Sequence, residues 1–216
     1  MKTLQSTTIN PANSIFVIVD VENEFCTPGG HFYSPAKAEF MPGVINAIKG
    51  LSEKARDAGI PIIYIQSVRN LTEPEFTVFG REPHLQIDTW GTEIVDEIKP
   101  REGDIVIQKF SHDAFLRKDL DDALARLVPD PTMCQAIITG GSVSVCVFHA
   151  VLGFYLRSYW TVVLTDGVFY RTEDTKQASL EHLSQGGYPN IFMSRSDLIS
   201  VSNVAEAARP SLAIEG

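Results

Sequence analysis

The sequence predicts an α/β protein, a three-layer α/β/α sandwich around a six-stranded, mostly parallel, Rossmann-like sheet. Three observations carry this. Short continuous apolar runs such as Ser14 to Val19 and Ala136 to Ile138 read as strands buried on both faces, as in parallel sheets. Stretches with apolar residues at helical spacing separate those runs. Ala136 to Asp166 contains one complete unit: an apolar run, the turn Thr139-Gly140-Gly141-Ser142, a helical pattern carrying Cys146 in its first turns, and a second run from Thr161 to Leu164. Strand, tight turn, helix and strand make a βαβ crossover.

In chain order, Ser14 to Asp20 is the first strand and ends in a carboxylate. Open α/β sheets place their sites at the C-terminal ends of their strands, so Asp20 stands at the chemically useful edge. Pro42 opens a helix to about Ala58, with Val44, Ile45, Ile48 and Leu51 on one face, and Gly59 ends it. Ile60 to Gln66 is the next strand. Ser67 to Gly91 is long and irregular, and it mixes Phe76, Phe79 and Trp90 with Arg69, Arg81 and His84. A loop of that length in a compact domain reads as a cover over a site or a contact with a neighbouring subunit. Thr92 to Ile98 reads as a short helix, Asp104 to Gln108 as a strand, and Asp119 to Leu127 as a helix. After the central crossover come a helix at Asp174 to Ser184, a strand at Ile191 to Met193, and a last helix from Ser196 to about Ala208. The expected organisation is a single domain over residues 1–216, with residues 1–13 as an N-terminal arm.

Composition removes several functions. A net charge of −9 without a basic cluster argues against nucleic acid. No apolar run approaches the roughly 20 residues of a membrane span. Met1 to Asn13 lacks the basic start and apolar core of a secretory signal. Three widely spaced cysteines make no disulfide framework, so the expected setting is reduced and cytoplasmic. The first strand is followed by Val21-Glu22-Asn23-Glu24 rather than a Gly-x-Gly-x-x-Gly turn, which removes a dinucleotide binder.

Chemistry concentrates at three strand ends. Cys146 lies where free backbone N–H groups and the helix dipole are expected to lower a thiol pKa. Lys109 directly follows a buried strand, and a buried ammonium needs a carboxylate, for which Asp20 is the candidate. The plainer alternatives are a snorkelling lysine, a loop-capping aspartate and a packed cysteine. Cys26 and Cys134 read as structural. His149 follows Cys146 by about one helical turn and reads equally as a packed residue or a second partner of the site.

Asp20, Lys109 and Cys146, together with Val19-Asp20-Val21-Glu22-Asn23-Glu24-Phe25, Lys109-Phe110-Ser111-His112-Asp113-Ala114-Phe115 and Gly140 through Val147, resemble the isochorismatase-like cysteine hydrolases. The amidohydrolase branch of that superfamily includes nicotinamidases, N-carbamoylsarcosine amidohydrolases, and biuret and ureidoacrylate hydrolases. The resemblance implies a catalytic Asp20–Lys109–Cys146 triad and a thioester route to cleavage of an amide, ureide or carbamoyl C–N bond in a small molecule. It also implies an oxyanion hole from the N–H groups of Ser142 and Cys146 beside a cis Gly141–Ser142 peptide, no cofactor, and a dimer or tetramer. Phe25, Arg69, Trp90, His112 and Phe115 are the expected substrate-binding residues, with Phe76 and Phe79 as further apolar walls and Arg69 or Arg81 as a clamp for a substrate carboxylate.

Three departures from the family pattern stand out. The family commonly has Gln at the place of Glu22 and Thr at the place of Val143. It favours Thr-Ala and then Asp-Ala where Ala150-Val151 and Gly153-Phe154 stand. Gln66-Ser67-Val68-Arg69-Asn70 lacks the Asp-x-His pair of metal-dependent nicotinamidases, so no metal is expected. Two alternatives stay open on the sequence: a vinyl ether hydrolase of the isochorismatase type led by Asp20, and a catalytically silent binding or scaffold member.

Overall fold

The structure is a computed structural model, and it describes residues 2–202 together with the backbone of a strand at 212–214. The strands are β1 (Leu4–Ile9), β2 (Ser14–Val19), β3 (Ile62–Ser67), β4 (Ile105–Lys109), β5 (Gln135–Gly140), β6 (Trp160–Val168), β7 (Ile191–Ser194), β8 (Ile199–Val201) and β9 (Leu212–Ile214). The α-helices are α1 (Asn23–Cys26), α2 (Met41–Asp57), α3 (Pro74–Thr77), α4 (Lys118–Leu127), α5 (Cys146–Leu156) and α6 (Glu173–Gln185). Six strands form one parallel sheet in the order β4-β3-β2-β5-β6-β7.

Every residue of β2 and β5 is buried, as the unbroken apolar runs require of central strands covered on both sides. The period of two sorts their side chains between two cores. Ile15, Val17 and Val19 face the core shared with α4, α5 and α6, which contribute Leu124, Val151, Phe154 and Leu183. Phe16 and Ile18 face the core shared with Val44, Ile48 and Leu51 of α2. A sheet between two helical layers follows, as expected. Strand order reverses between β2 and β5, so the crevice at their C-terminal ends is the topological switch point where such sheets bind ligands.

Three expectations need correction. The N-terminal arm is β1, the middle strand of a second, three-stranded sheet ordered β8-β1-β9. Leu4, Thr7 and Ile9 are its buried positions, and Met193 N donates to Lys2 O at 2.9 Å beside it. The expected last helix starts as a single 3-10 turn, Ser196–Leu198, capped by Asp166, whose carboxylate accepts from Ser196 N (2.9 Å) and Oγ (2.6 Å). The chain then pairs with β1 as β8, because Ile199 gains burial there; the rest of that expected helix, 203–208, lies outside the described residues. The expected helix over Thr92 to Ile98 is instead two 3-10 turns, Trp90–Thr92 and Asp96–Ile98. Between them Ile94 bridges Glu22 in extended backbone, which stops a continuous helix.

Candidate active site

Register brings the reactive side chains together before any of them makes a bond. Val19 pairs with Ile65 on one side and Gly140 on the other, and Ser67 pairs with Lys109. The ends of β4, β3, β2 and β5 therefore place Lys109, Ser67, Asp20 and the Gly140–Gly141 turn side by side. Gly140 has φ +97°, and a Cβ there would stand 1.9 Å from Val19 O. Only glycine lets β5 turn so close to β2. The turn continues through a cis Gly141–Ser142 peptide into α5, whose first residue is Cys146.

Lys109 is the hub of the cluster. Its ammonium is 3.0 Å from Asp20 Oδ2 and donates to Cys146 Sγ at 3.3 Å and to Ser111 O at 3.1 Å. A further hydrogen bond runs from Lys109 Nζ to Ser67 Oγ, and Ser67 Oγ in turn donates to Asp20 Oδ1 at 3.1 Å. Lys109 is 3% exposed and Asp20 1%. Burial opposes the Lys109 ammonium, but Asp20 and Cys146 outweigh it and hold its pKa above the ordinary lysine value.

The thiol behaves opposite to the sequence expectation. Burial, and then the Asp20 carboxylate, push Cys146 well above its ordinary pKa, and Lys109 offsets only part of that. Helix geometry alone suggested a lowered value; a helix dipole is a small effect beside removal of the sulfur from water. The raised value favours the thiol over the thiolate in the free chain, so a nucleophilic role for Cys146 would require a proton acceptor. Cys26 and Cys134 are buried too, and burial raises both.

Among the described residues, neither Ser142 N nor Cys146 N donates a hydrogen bond to another backbone group. Val143 N donates to Phe169 O (3.0 Å) and Val145 N to Ser142 O (3.0 Å), while Ser144 N, like Ser142 N and Cys146 N, donates to no backbone group among the described residues. Two unused N–H groups beside a sulfur can stabilise an oxyanion.

Sequence reasoning did not find Ser67, although its signal was its place at a strand end next to the strand of Lys109. It also treated Glu22 only as a departure from a motif. Glu22 is fully buried; Oε1 accepts from Ser67 N at 2.6 Å, and Oε2 has no hydrogen-bond partner among the described residues. Burial and the nearby Asp20 hold its carboxyl well above the usual carboxylate range, which favours the neutral acid in the position where the family pattern has a neutral amide.

The expected substrate-binding residues divide. His112 is at the centre, with Nδ1 3.5 Å from Cys146 Sγ. Arg69 is buried nearby, with Nε on Glu75 Oε1 (2.6 Å) and Nη1 on Val68 O (2.9 Å), and its charge is felt by both Glu22 and His112. Phe25 is half-buried, stacked on Phe32 at 5.2 Å and 6.2 Å from Phe169, the ring that packs against Gly141. Trp90 is 49% exposed beside Gly29. Phe115 packs into the core beneath α5, edge-on to Phe154 at 5.1 Å and under the Arg157 guanidinium at 3.8 Å. A Cβ on Gly153 would meet its ring at 2.2 Å, so Gly153 and Phe115 are one packing unit.

The long loop, residues 67–91, folds over residues 23–32 rather than standing away from them. Arg69 N donates to Leu85 O (2.7 Å), Leu85 N to Glu24 Oε1 (3.1 Å), and His84 joins the rings of His31, Phe32 and Phe76. The Arg81 side chain is 62% exposed on its rim and Phe79 is exposed at its tip. No group of three or more His, Cys, Asp or Glu side chains among the described residues is arranged to hold a metal ion.

Comparisons with known proteins agree with this architecture. The chain is 27% identical over 207 residues to the ureidoacrylate amidohydrolase RutB of Caulobacter segnis, covering 85% of this chain and 80% of that protein. It is 28% identical over 207 residues to the RutB of Methylobacterium radiotolerans, covering 85% and 74%. An isochorismatase-like hydrolase structure from Alkaliphilus metalliredigens superposes with a TM-score of 0.73 at 24% identity, over 86% of this chain and 96% of that one. An N-carbamoylsarcosine amidase from Thermoplasma acidophilum gives 0.69 at 27% identity, over 86% and 97%. The isochorismatase domain pattern matches residues 14–191, the whole parallel sheet up to the start of β7, and the chain belongs to that family.

Proposed function

We propose that this protein hydrolyses a C–N bond of a small amide, ureide or carbamoyl compound through a thioester on Cys146. The observation that carries the reading is Lys109 Nζ set between Asp20 Oδ2 (3.0 Å) and Cys146 Sγ (3.3 Å), with the N–H groups of Ser142 and Cys146 unused by other backbone groups. The names of the relatives, ureidoacrylate amidohydrolase and N-carbamoylsarcosine amidase, support the bond type.

In this route the thiol proton passes to Asp20 as Sγ attacks the carbonyl carbon. Lys109, whose pKa lies above the ordinary lysine value, stays protonated and faces the sulfur throughout. The oxyanion sits on Ser142 N–H and Cys146 N–H, each worth roughly 3 kcal/mol of barrier. Collapse breaks the C–N bond, Asp20 returns its proton to the departing nitrogen, and water then cleaves the thioester. Phe25 and Trp90 supply apolar walls, and Arg69 pairs with an anionic group on the substrate. Association into a dimer or tetramer belongs to the same reading.

The test is hydrolysis of ureidoacrylate, N-carbamoylsarcosine and simple amides by the wild type and by Cys146→Ala. Turnover of at least one of these compounds by the wild type is expected, lost by 10³-fold or more in the variant. Iodoacetamide is expected to label Cys146 before Cys26 and Cys134. Undiminished turnover by Cys146→Ala would remove the thioester.

A further inference from the structure

Resting on that reading, we propose that His112 is the base of its second half, taking the proton of the water that cleaves the Cys146 thioester. Asp20 serves the first half, but it is 1% exposed, with Oδ1 accepting from Ser67 Oγ and Oδ2 facing Lys109 Nζ at 3.0 Å, so incoming water does not meet it first. Water reaches the thioester carbon from the open side of the sulfur. On that side stands His112, its ring solvent-accessible and its Nδ1 3.5 Å from Sγ.

The turn that carries His112 is fixed at both ends. Lys109 Nζ holds Ser111 O at 3.1 Å, Ser111 Oγ donates to Asp113 O at 2.9 Å, and Phe115 N donates to Asp113 Oδ1 at 2.9 Å. The ring is thus placed by the same lysine that holds the sulfur. Charged and titratable groups surround it from every packed element: Lys109 at the end of β4, Arg69 after β3, Asp20 after β2, and Cys146 and His149 on α5, with the His149 ring centroid 6.3 Å away. Partial burial, then Lys109, Arg69 and His149, disfavour the imidazolium, and Asp20 offsets only part of this. A neutral imidazole whose Nδ1 carries no proton is the form a general base requires.

The step balances. Water oxygen bonds to the thioester carbon as its proton goes to His112 Nδ1. Collapse breaks the C–S bond, and the departing sulfur takes that proton back, leaving the acid, a thiol and a neutral imidazole.

The two halves separate with p-nitrophenyl acetate, whose phenolate needs no proton to leave. Wild type should release nitrophenolate in a stoichiometric burst, followed by a slower phase set by thioester hydrolysis. His112→Asn keeps a polar atom at the place of Nδ1 but does not titrate. It should keep the burst, slow the second phase tenfold or more, and accumulate acetyl-Cys146 in an acid-quenched mass spectrum. The acid limb of the wild-type second phase, below the ordinary imidazole value of about 6.5, should vanish in the variant, and added imidazole should restore the second phase in His112→Ala. An unchanged second phase and pH profile in His112→Asn, or loss of its burst, overturns the inference while leaving the thioester in place. A wild type with no burst, or a Cys146→Ala variant with one, removes the thioester itself and this inference with it.

Discussion

Ser67→Ala removes one hydroxyl from between two buried ions. In the wild type this hydroxyl accepts from Lys109 Nζ and donates to Asp20 Oδ1 at 3.1 Å. Lys109 would keep Ser111 O at 3.1 Å, Cys146 Sγ at 3.3 Å and Asp20 Oδ2 at 3.0 Å. Each ion therefore loses one hydrogen bond and keeps its counter-charge. A hydrogen bond to a charged group contributes about 1.5–3 kcal/mol, and the surviving ion pair limits the combined loss to about 2 kcal/mol. For a chain of this size that lowers Tm by about 4–8 °C. If the same hydroxyl holds Lys109 against the sulfur in the transition state, kcat/KM falls roughly 30-fold. The assay is thermal unfolding alongside steady-state hydrolysis of a turned-over amide. A variant that melts lower but keeps kcat/KM within twofold would show that Ser67 braces the fold without positioning the lysine. No change in either quantity would refute the reasoning about buried charge.

Two further predictions follow from neighbouring residues. Folded Glu22 keeps a proton that the unfolded chain releases, so its contribution to stability is whole below the unfolded value of about 4.3 and is lost as pH rises through the raised folded value. Glu22→Gln should be more stable than wild type at neutral and alkaline pH, with the advantage shrinking toward pH ~4; a difference in Tm that does not vary with pH would mean Glu22 is ionised in the folded chain. Arg69→Ala should raise KM for a carboxylate-bearing substrate tenfold or more, about 1.4 kcal/mol, and leave a neutral amide unaffected. Arg81→Ala should change little, since Arg81 is exposed and 3.6 Å from Glu75; equal KM for acidic and neutral substrates in Arg69→Ala would refute the clamp.

The sheet and the strand ends were legible because buried parallel strands leave unbroken apolar runs, and SIFVIVD or AIITGG can be little else. Asp20 and Lys109 were legible as polar residues directly after such runs, and Cys146 by its place in the first turns of the helix that follows one. What was lost depends on pairing between distant segments. Residues 1–13 carry too few apolar positions to announce a strand, yet β1 forms because β8 and β9 come to its two sides. Ser67 looks like an ordinary loop serine until register sets it beside Lys109. Gly153 looks like a departure from the family pattern after Cys146, whereas its missing Cβ makes room for Phe115. Local helix geometry points the Cys146 shift downward, whereas burial, which only the packed structure supplies, raises it.

The proton inventory of the buried cluster explains why Glu22 and Cys146 share one logic. Asp20, Glu22, Lys109 and Cys146 are all buried within one crevice. An unbalanced charge there would cost several kcal/mol. With Glu22 protonated and Cys146 a thiol, the resting cluster holds one anion, Asp20, and one cation, Lys109. When the thiol proton moves to Asp20 in the proposed attack, the anion moves to sulfur and the cation stays where it faces both. The cluster is neutral before and after, so the transfer shifts a charge by a few ångströms instead of creating one. Ionised Glu22 would break that balance by adding a second carboxylate beside Asp20 and would favour the thiol over the thiolate. In the proposed route a neutral group at position 22 is thus part of what would let a cysteine with a raised pKa attack. Glutamine, commonly found there in the family, supplies the same neutrality at every pH, and glutamate supplies it only while it holds its proton.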